Sequence, residues 1–288
     1  MNQNLKIILF LLLAIASVSP TFAQADEENL EIDNTTDGRG WTFGLNLGVY
    51  YPSKSTANYY NGNPWNENNA QFVMSNYTWY NEIFHSLQAH DTVYIDGLPQ
   101  NMHYTLTMQP GIYAQYSFNP ELALIIEFNY MLLKTNDAIS FKVDPLLHPS
   151  DKNPSRLYPM RGAEERVYAD IGLKRNYIVD KKLSYFAMGG LNVNSTKAKK
   201  CSFYVEDIEY SMVNNYVNGS YVPNGNSQTY GVYQGGIGIG MFAGGGVSFT
   251  FGNGIVLEPG ITAHWLMVKL HGYQNMNPGA GAYVRFLF

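Results

Sequence analysis

Cysteine is nearly absent: Cys201 stands alone in 288 residues, so an intrachain disulfide scaffold is excluded, and the residue reads as a loop thiol. Charge is sparse too, at 14% of residues, and 18 Lys and Arg against 23 Asp and Glu leave −5 with no basic stripe. Nucleic acid is therefore excluded as a partner. Beyond residue 24 no apolar run reaches 18 residues, which excludes a membrane-spanning helix. The sequence has no H-E-x-x-H, no G-x-S-x-G and no cysteine pair, and "GGIGIG" at 235–240 lacks the helix start of a nucleotide loop. Six histidines are present; His85 and His90 lie near Asp91, but a gap of five does not place two ligands on one helix face. The chain is read as non-enzymatic, with no metal and no cofactor.

At the N-terminus Lys6 precedes an apolar run from residue 7 to about 18, followed by small residues up to Ala23. A charged residue, a short apolar core and a small-residue cleavage site make a secretory signal peptide over residues 1–23. Residues 24–38, carrying Asp26, Glu27, Glu28, Glu31 and Asp33, then form an acidic tail. An exported chain without a spanning helix is either soluble or a β-barrel, because only helices and closed barrels satisfy their backbone groups in lipid.

Alternation decides between the two. In "WTFGLNLGVYY", Trp41, Phe43, Leu45, Leu47, Val49 and Tyr51 share one face and Thr42, Gly44, Asn46, Gly48 and Tyr50 the other. The same period of two recurs over residues 104–118, 122–130, 167–174, 183–193, 236–250, 255–265 and 280–288, which predicts eight strands. Short turns at "NPE", "VDKK" and "GNG" follow the second, fourth and sixth strands. Long connections at roughly 52–103, 134–165 and 194–232 join the opposite ends, with a short one near 270–277. An apolar outer face, a polar or glycine inner face and this asymmetry of connections specify an all-β, antiparallel, up-and-down transmembrane barrel over residues 39–288. A soluble barrel would invert the faces.

Aromatic residues give an independent check. Trp41, Phe118, Tyr177, Tyr185, Phe249, Phe251, Phe286 and Phe288 fall beside the short turns or the terminus, as a girdle at one interface; Tyr51, Tyr104, Tyr130 and Trp265 mark the other. On these residues the chain resembles the small eight-stranded outer-membrane barrels, represented by the OmpA membrane domain and OmpX-like proteins. That resemblance implies a bacterial outer-membrane location with a periplasmic N-terminus, and membrane lipid and lipopolysaccharide as neighbours. It also implies that Val284, Phe286 and Phe288 are the signal read by the barrel-assembly machinery. "DTV" at 91–93 is similar to the O-glycosylation acceptor of Bacteroidota-type bacteria, with Thr92 as the acceptor.

An eight-stranded barrel is just wide enough for side chains to fill it. The inward charges Glu127, Asp170, Lys174, Glu258 and Arg285 are expected to plug it as a paired network, Glu258 with Arg285 and Glu127 with Lys174. The inward glycines of the sixth strand make room for Phe186 and Met188. Function then falls to the connections, the first of which is rich in Tyr, Trp and Asn, with "NEIFHSLQAH" forming a short helix. Tyr59, Tyr60, Trp65, Tyr77, Trp79 and Tyr80 form the candidate contact patch for an outer-membrane or surface protein partner. The expected role is that of an envelope structural or interaction protein, with a narrow channel or a lipid A-modifying enzyme as alternatives.

Overall fold

The computed structural model describes residues 39–66, 68–144, 155–212, 216–217, 220–221, 235–252 and 254–288; the expected signal peptide and acidic tail lie outside them, as does His148. In chain order the strands are β1 (Gly40–Pro52), β2 (Thr92–Gly97), β3 (Thr107–Ser117), β4 (Leu122–Asp144), β5 (Ser155–Ile178), β6 (Leu183–Val205), β7 (Ile208–Ser211), β8 (Tyr216–Val217), β9 (Ser220–Tyr221), β10 (Gly235–Thr250), β11 (Val256–Leu270) and β12 (Tyr273–Leu287). Eight of these, β1, β3, β4, β5, β6, β10, β11 and β12, pair antiparallel in that cyclic order. Pairing of β6 with β10 and of β12 with β1 closes the ring. Phe43 and Phe288 exchange backbone hydrogen bonds at that last seam.

The period of two produces this ring. On β1 the even residues Gly44, Asn46, Gly48 and Tyr50 are buried in the lumen, while Trp41, Phe43, Leu45, Leu47 and Tyr51 are exposed on the outside. The short turns have local causes: Asn119 accepts from the backbone N–H of Glu121 and Leu122, and Asp180 does the same for Lys182 and Leu183. At the opposite end β11 and β12 are joined across His271 and Gly272, whose φ of +70° suits a residue without a side chain.

Three strands reach far beyond the membrane. β4, β5 and β6 run for 23, 24 and 23 residues, whereas a tilted strand crosses a bilayer in about 9–11. Their upper halves occupy much of what the sequence pattern assigns to long connections at 134–165 and 194–232. The change of solvent explains why the pattern hides them. Along β4 the outward residues pass from Leu124, Ile126, Phe128, Tyr130 and Leu132 to Lys134, Asn136, Ser140 and Lys142. The inward ones pass from Glu127 and Asn129 to Met131, Leu133, Ile139, Phe141 and Val143. Inside and outside exchange polarity at the membrane edge while the strand continues unbroken.

Above that edge, β2 pairs with β4 and β7 with β6, and the resulting sheet carries an apolar inner face. A bulge in the β5–β6 pairing beside Ala163 and Glu164 moves the inward set of β6 from Asn194, Thr196 and Ala198 to Cys201, Phe203 and Val205. Three short helices, α1 (Lys54–Ala57), α2 (Ala70–Ser75) and α3 (Tyr77–Ser86), belong to the same cluster, bringing Ala57, Val73 and Ile83, with Leu87 just beyond α3. The expected helix at 81–90 starts four residues earlier because Asn76 caps it, its Oδ1 accepting from the N–H of Thr78 and Trp79. It stops where Gln88 takes φ of +53°. The first connection is thus half of a folded head with its own hydrophobic core.

Candidate functional site

The lumen holds the expected charges, joined in a different order. Arg285, fully buried on β12, reaches Glu258 of β11 at 3.1 Å and Glu127 of β4 across the barrel at 2.5 Å. Lys174 of β5 crosses to Glu258, with Ser248 donating to the same carboxylate at 2.7 Å. Asn46 and Asn129 donate to Glu127 at 2.6 and 2.7 Å. Arg285 thus pairs with Glu258 as expected, whereas Lys174 does not pair with Glu127. The register explains the exchange: Glu127 stands opposite Asp170, and Lys174 stands opposite Ala123, four residues along the strand. In so narrow a ring, the long side chains cross to the far wall instead. Asp170 in turn accepts from Asn192 at 2.6 Å and meets His264 at 3.2 Å.

Aromatic rings and missing side chains complete the plug. The Arg285 guanidinium lies 3.7 Å from the Tyr113 ring centre and 4.6 Å from that of Tyr283. As expected, glycines of β10 yield space: a Cβ on Gly246 would lie 2.8 Å from Phe186, and one on Gly244 2.9 Å from Met188.

A second cluster sits above the first and escapes the sequence pattern. Glu164 and Arg166 of β5 pair with each other, Tyr104 and Tyr60 donate to Glu164 at 2.6 and 3.0 Å, and Arg166 donates to the Tyr168 hydroxyl at 3.3 Å. Tyr168 contacts Tyr50 at 3.0 Å between hydroxyls. Tyr104 is therefore an inward residue and no part of the outer girdle: the alternation breaks at Thr105 and Leu106, both exposed, just before β3 begins. The signal for this cluster was the unbroken alternation Met160, Gly162, Glu164, Arg166, Tyr168, which runs through the segment read as a connection.

The structure divides the candidate contact patch. Tyr59 and Tyr60 are buried in the head core, Tyr59 donating to the His271 carbonyl at 2.9 Å. Trp79 packs edge-on to Tyr210, and the Tyr80 hydroxyl accepts from the N–H of Val93. Trp65 and Tyr77 alone of the six stand open, Trp65 at 94% exposure. Four of these aromatics serve as core because the upper sheet offers them an apolar wall that a disordered loop would not have. Thr92 begins β2 with its side chain exposed, and His85 and His90 are exposed too. The aromatics beside the short turns, including Phe286 and Phe288, all face outward, as does Val284.

Cys201 belongs to this core as well, rather than to a loop. It is buried in the same cluster as Phe203 and Tyr60, its thiol lies 3.6 Å from the Tyr60 carbonyl, and burial pushes the thiol well above its ordinary range. Reaction requires the thiolate. A maleimide reagent at neutral pH is expected to leave the native protein unlabelled and to label it fully after denaturation; rapid native labelling would show that the head opens.

A closed antiparallel ring of eight strands with an apolar outer belt, aromatic girdles and a charged, filled lumen defines an outer-membrane β-barrel. No protein-family model matches the chain, and no curated protein matches it. Among solved structures it is similar to Neisserial surface protein A (NspA), at 10% identity and a TM-score of 0.41, over 87% of this chain and 97% of that one. It is also similar to Ail, the attachment invasion locus protein of Yersinia pestis, at 10% identity and a TM-score of 0.32, over 86% and 98%. OprG from Pseudomonas aeruginosa follows at 9% identity and a TM-score of 0.32, over 86% and 92%.

Proposed function

We propose that this protein is a non-conducting, non-enzymatic barrel of the outer membrane whose head is an interaction module, acting alone or as a subunit of a larger outer-membrane assembly. In this reading the short turns and the N-terminus face the periplasm, and the head stands at the cell surface. One observation carries it: the lumen is crossed by Arg285 with Glu127 and by Lys174 with Glu258, beneath a head whose Tyr60 and Tyr104 close onto Glu164. Ions would have to break buried charge pairs to pass, and parting one such pair costs about 3–5 kcal/mol.

The same enclosure argues against chemistry on lipid A, because the His264–Asp170 contact lies inside the wall, away from the outer leaflet. Lipid and lipopolysaccharide then surround the outward belt, and Val284, Phe286 and Phe288 serve the barrel-assembly machinery. Reconstituted in planar bilayers, the protein is expected to give no stepwise conductance. Reproducible open-channel steps from the intact chain would overturn the non-conducting reading and favour the narrow channel.

A further inference from the structure

The head carries a cleft of about 560 Å³ between residues 61–64 and α2 on one side and residues 95–100 on the other. Its polar lining is Asn61, Asn63, Gln71, Asp96 and Gln100. The wall is built before any ligand arrives: Asn61 Oδ1 accepts from the Asn63 N–H and from the Asn66 amide, Asn63 Oδ1 accepts from the Trp65 N–H, and Ala70 donates to the Gly62 carbonyl. Asn69 fixes the next turn by donating to the Pro64 carbonyl. On the other side Ser155 holds Asp96 at 2.5 Å. Gln71 and Gln100, by contrast, are exposed, and their carboxamides make no hydrogen bond to another described residue.

Trp65 directly follows the lining residue Pro64 in the chain, its backbone held by Asn63, with its ring almost wholly in solvent. An indole offers roughly 150–250 Å² of largely apolar surface, and here the fold covers almost none of it.

These features select a ligand by chemistry. Among the described residues that line the cleft there is no Lys, Arg or His, so these residues offer a phosphate, sulfate or carboxylate no counter-charge. The described lining residues include one carboxylate, Asp96, which gives a hard cation little charge to set against the cost of stripping its water. Carboxamides that donate and accept in one plane, one carboxylate acceptor and a flat aromatic face suit a ring bearing hydroxyls on its edge and C–H groups on its face. We propose that this cleft binds a neutral saccharide, with Gln71, Gln100, Asn63 and Asp96 on its hydroxyls and Trp65 stacked on its ring. The proposal rests on the reading of the head as a surface interaction module.

The test uses the full-length protein in phospholipid nanodiscs, since maltoside and glucoside detergents would compete for the site. Maltotriose, chitotriose and mannotriose are titrated while tryptophan fluorescence is followed, with a sulfated trisaccharide as the anionic arm. At least one neutral trisaccharide is expected to give a saturable blue shift. Affinity should fall at least tenfold in Trp65→Ala, read by calorimetry, and in the double variant Gln71→Ala, Gln100→Ala. Tyr77→Ala, which changes an exposed aromatic of a different cleft that it lines with His85 and Ile208, should leave it unchanged. Competition by polysaccharide stripped from the producing cells would assign the ligand to the cell's own coat, and its absence to a foreign glycan. Flat titrations with every neutral sugar, tighter binding of the sulfated one, or equal affinity in the Trp65 and glutamine variants would overturn the proposal. If titrations are flat while the bilayer remains silent, the saccharide site fails and the closed-barrel reading stands.

Discussion

Arg285→Ala is expected to destabilise the barrel by about 3–5 kcal/mol, because it strands the buried Glu127 and takes one of two cations from the buried Glu258. The loss should be read as a fall in the temperature or urea concentration at which the heat-modifiable gel form disappears. Rescue should be unequal. Glu127 loses the one cation it meets among the described residues and keeps the amides of Asn46 and Asn129, whereas Glu258 retains Lys174 and Ser248. Adding Glu127→Gln to Arg285→Ala should therefore recover more stability than adding Glu258→Gln. Equal rescue by the two, or strict additivity of the single effects, would mean that Arg285 does not bridge the lumen.

The second large effect is expected from replacing residues 54–100 by a short Gly/Ser linker. Taken as a loop, this segment would be removable at small cost, since loop closure changes by only about 0.6 kcal/mol per doubling of length. Taken as the structure has it, the replacement uncovers Leu133, Ile139, Phe141, Met160 and Phe203, each fully buried. At about 1.5–3 kcal/mol for each large apolar side chain, the exposed core outweighs the loop term severalfold. The membrane ring, whose pairing from β1 through β12 does not use the segment, should persist as a heat-modifiable species. The upper halves of β4, β5 and β6 should become open to protease within residues 134–165 and 194–212. Full protease resistance of those strands in the variant would show that the head core does not depend on α1 to α3.

The sequence was most informative where lipid is the solvent. Trp41, Phe43, Leu45 and Leu47 against Gly44, Asn46 and Gly48 announce which face meets the membrane, because the bilayer enforces a single rule on every strand that crosses it. The plug charges were legible for the same reason: a carboxylate such as Glu127 or Glu258 at an inward position has no solvent other than its partners. Their partners were not legible. Pairing by equal depth works for the neighbours Glu258 and Arg285, but Lys174 and Arg285 reach across the ring to strands far away in the chain.

The head was hidden by its own consistency with ordinary physics. Once a strand leaves the bilayer, water replaces lipid outside and packed side chains replace polar ones inside, so the pattern that marks a membrane strand reverses at Lys134 on β4 without any break in the backbone. By itself the sequence determined the class of protein, the lipid-facing side of each strand and the presence of a charged interior, because one-dimensional alternation is enough to record a two-faced wall. Only the tertiary structure decided which charges meet across the lumen, that Tyr59, Tyr60 and Tyr104 turn inward, and that Trp65 stays in solvent. Those outcomes depend on the radius of a closed ring and on the packing of segments distant in the chain, neither of which leaves a local period to read.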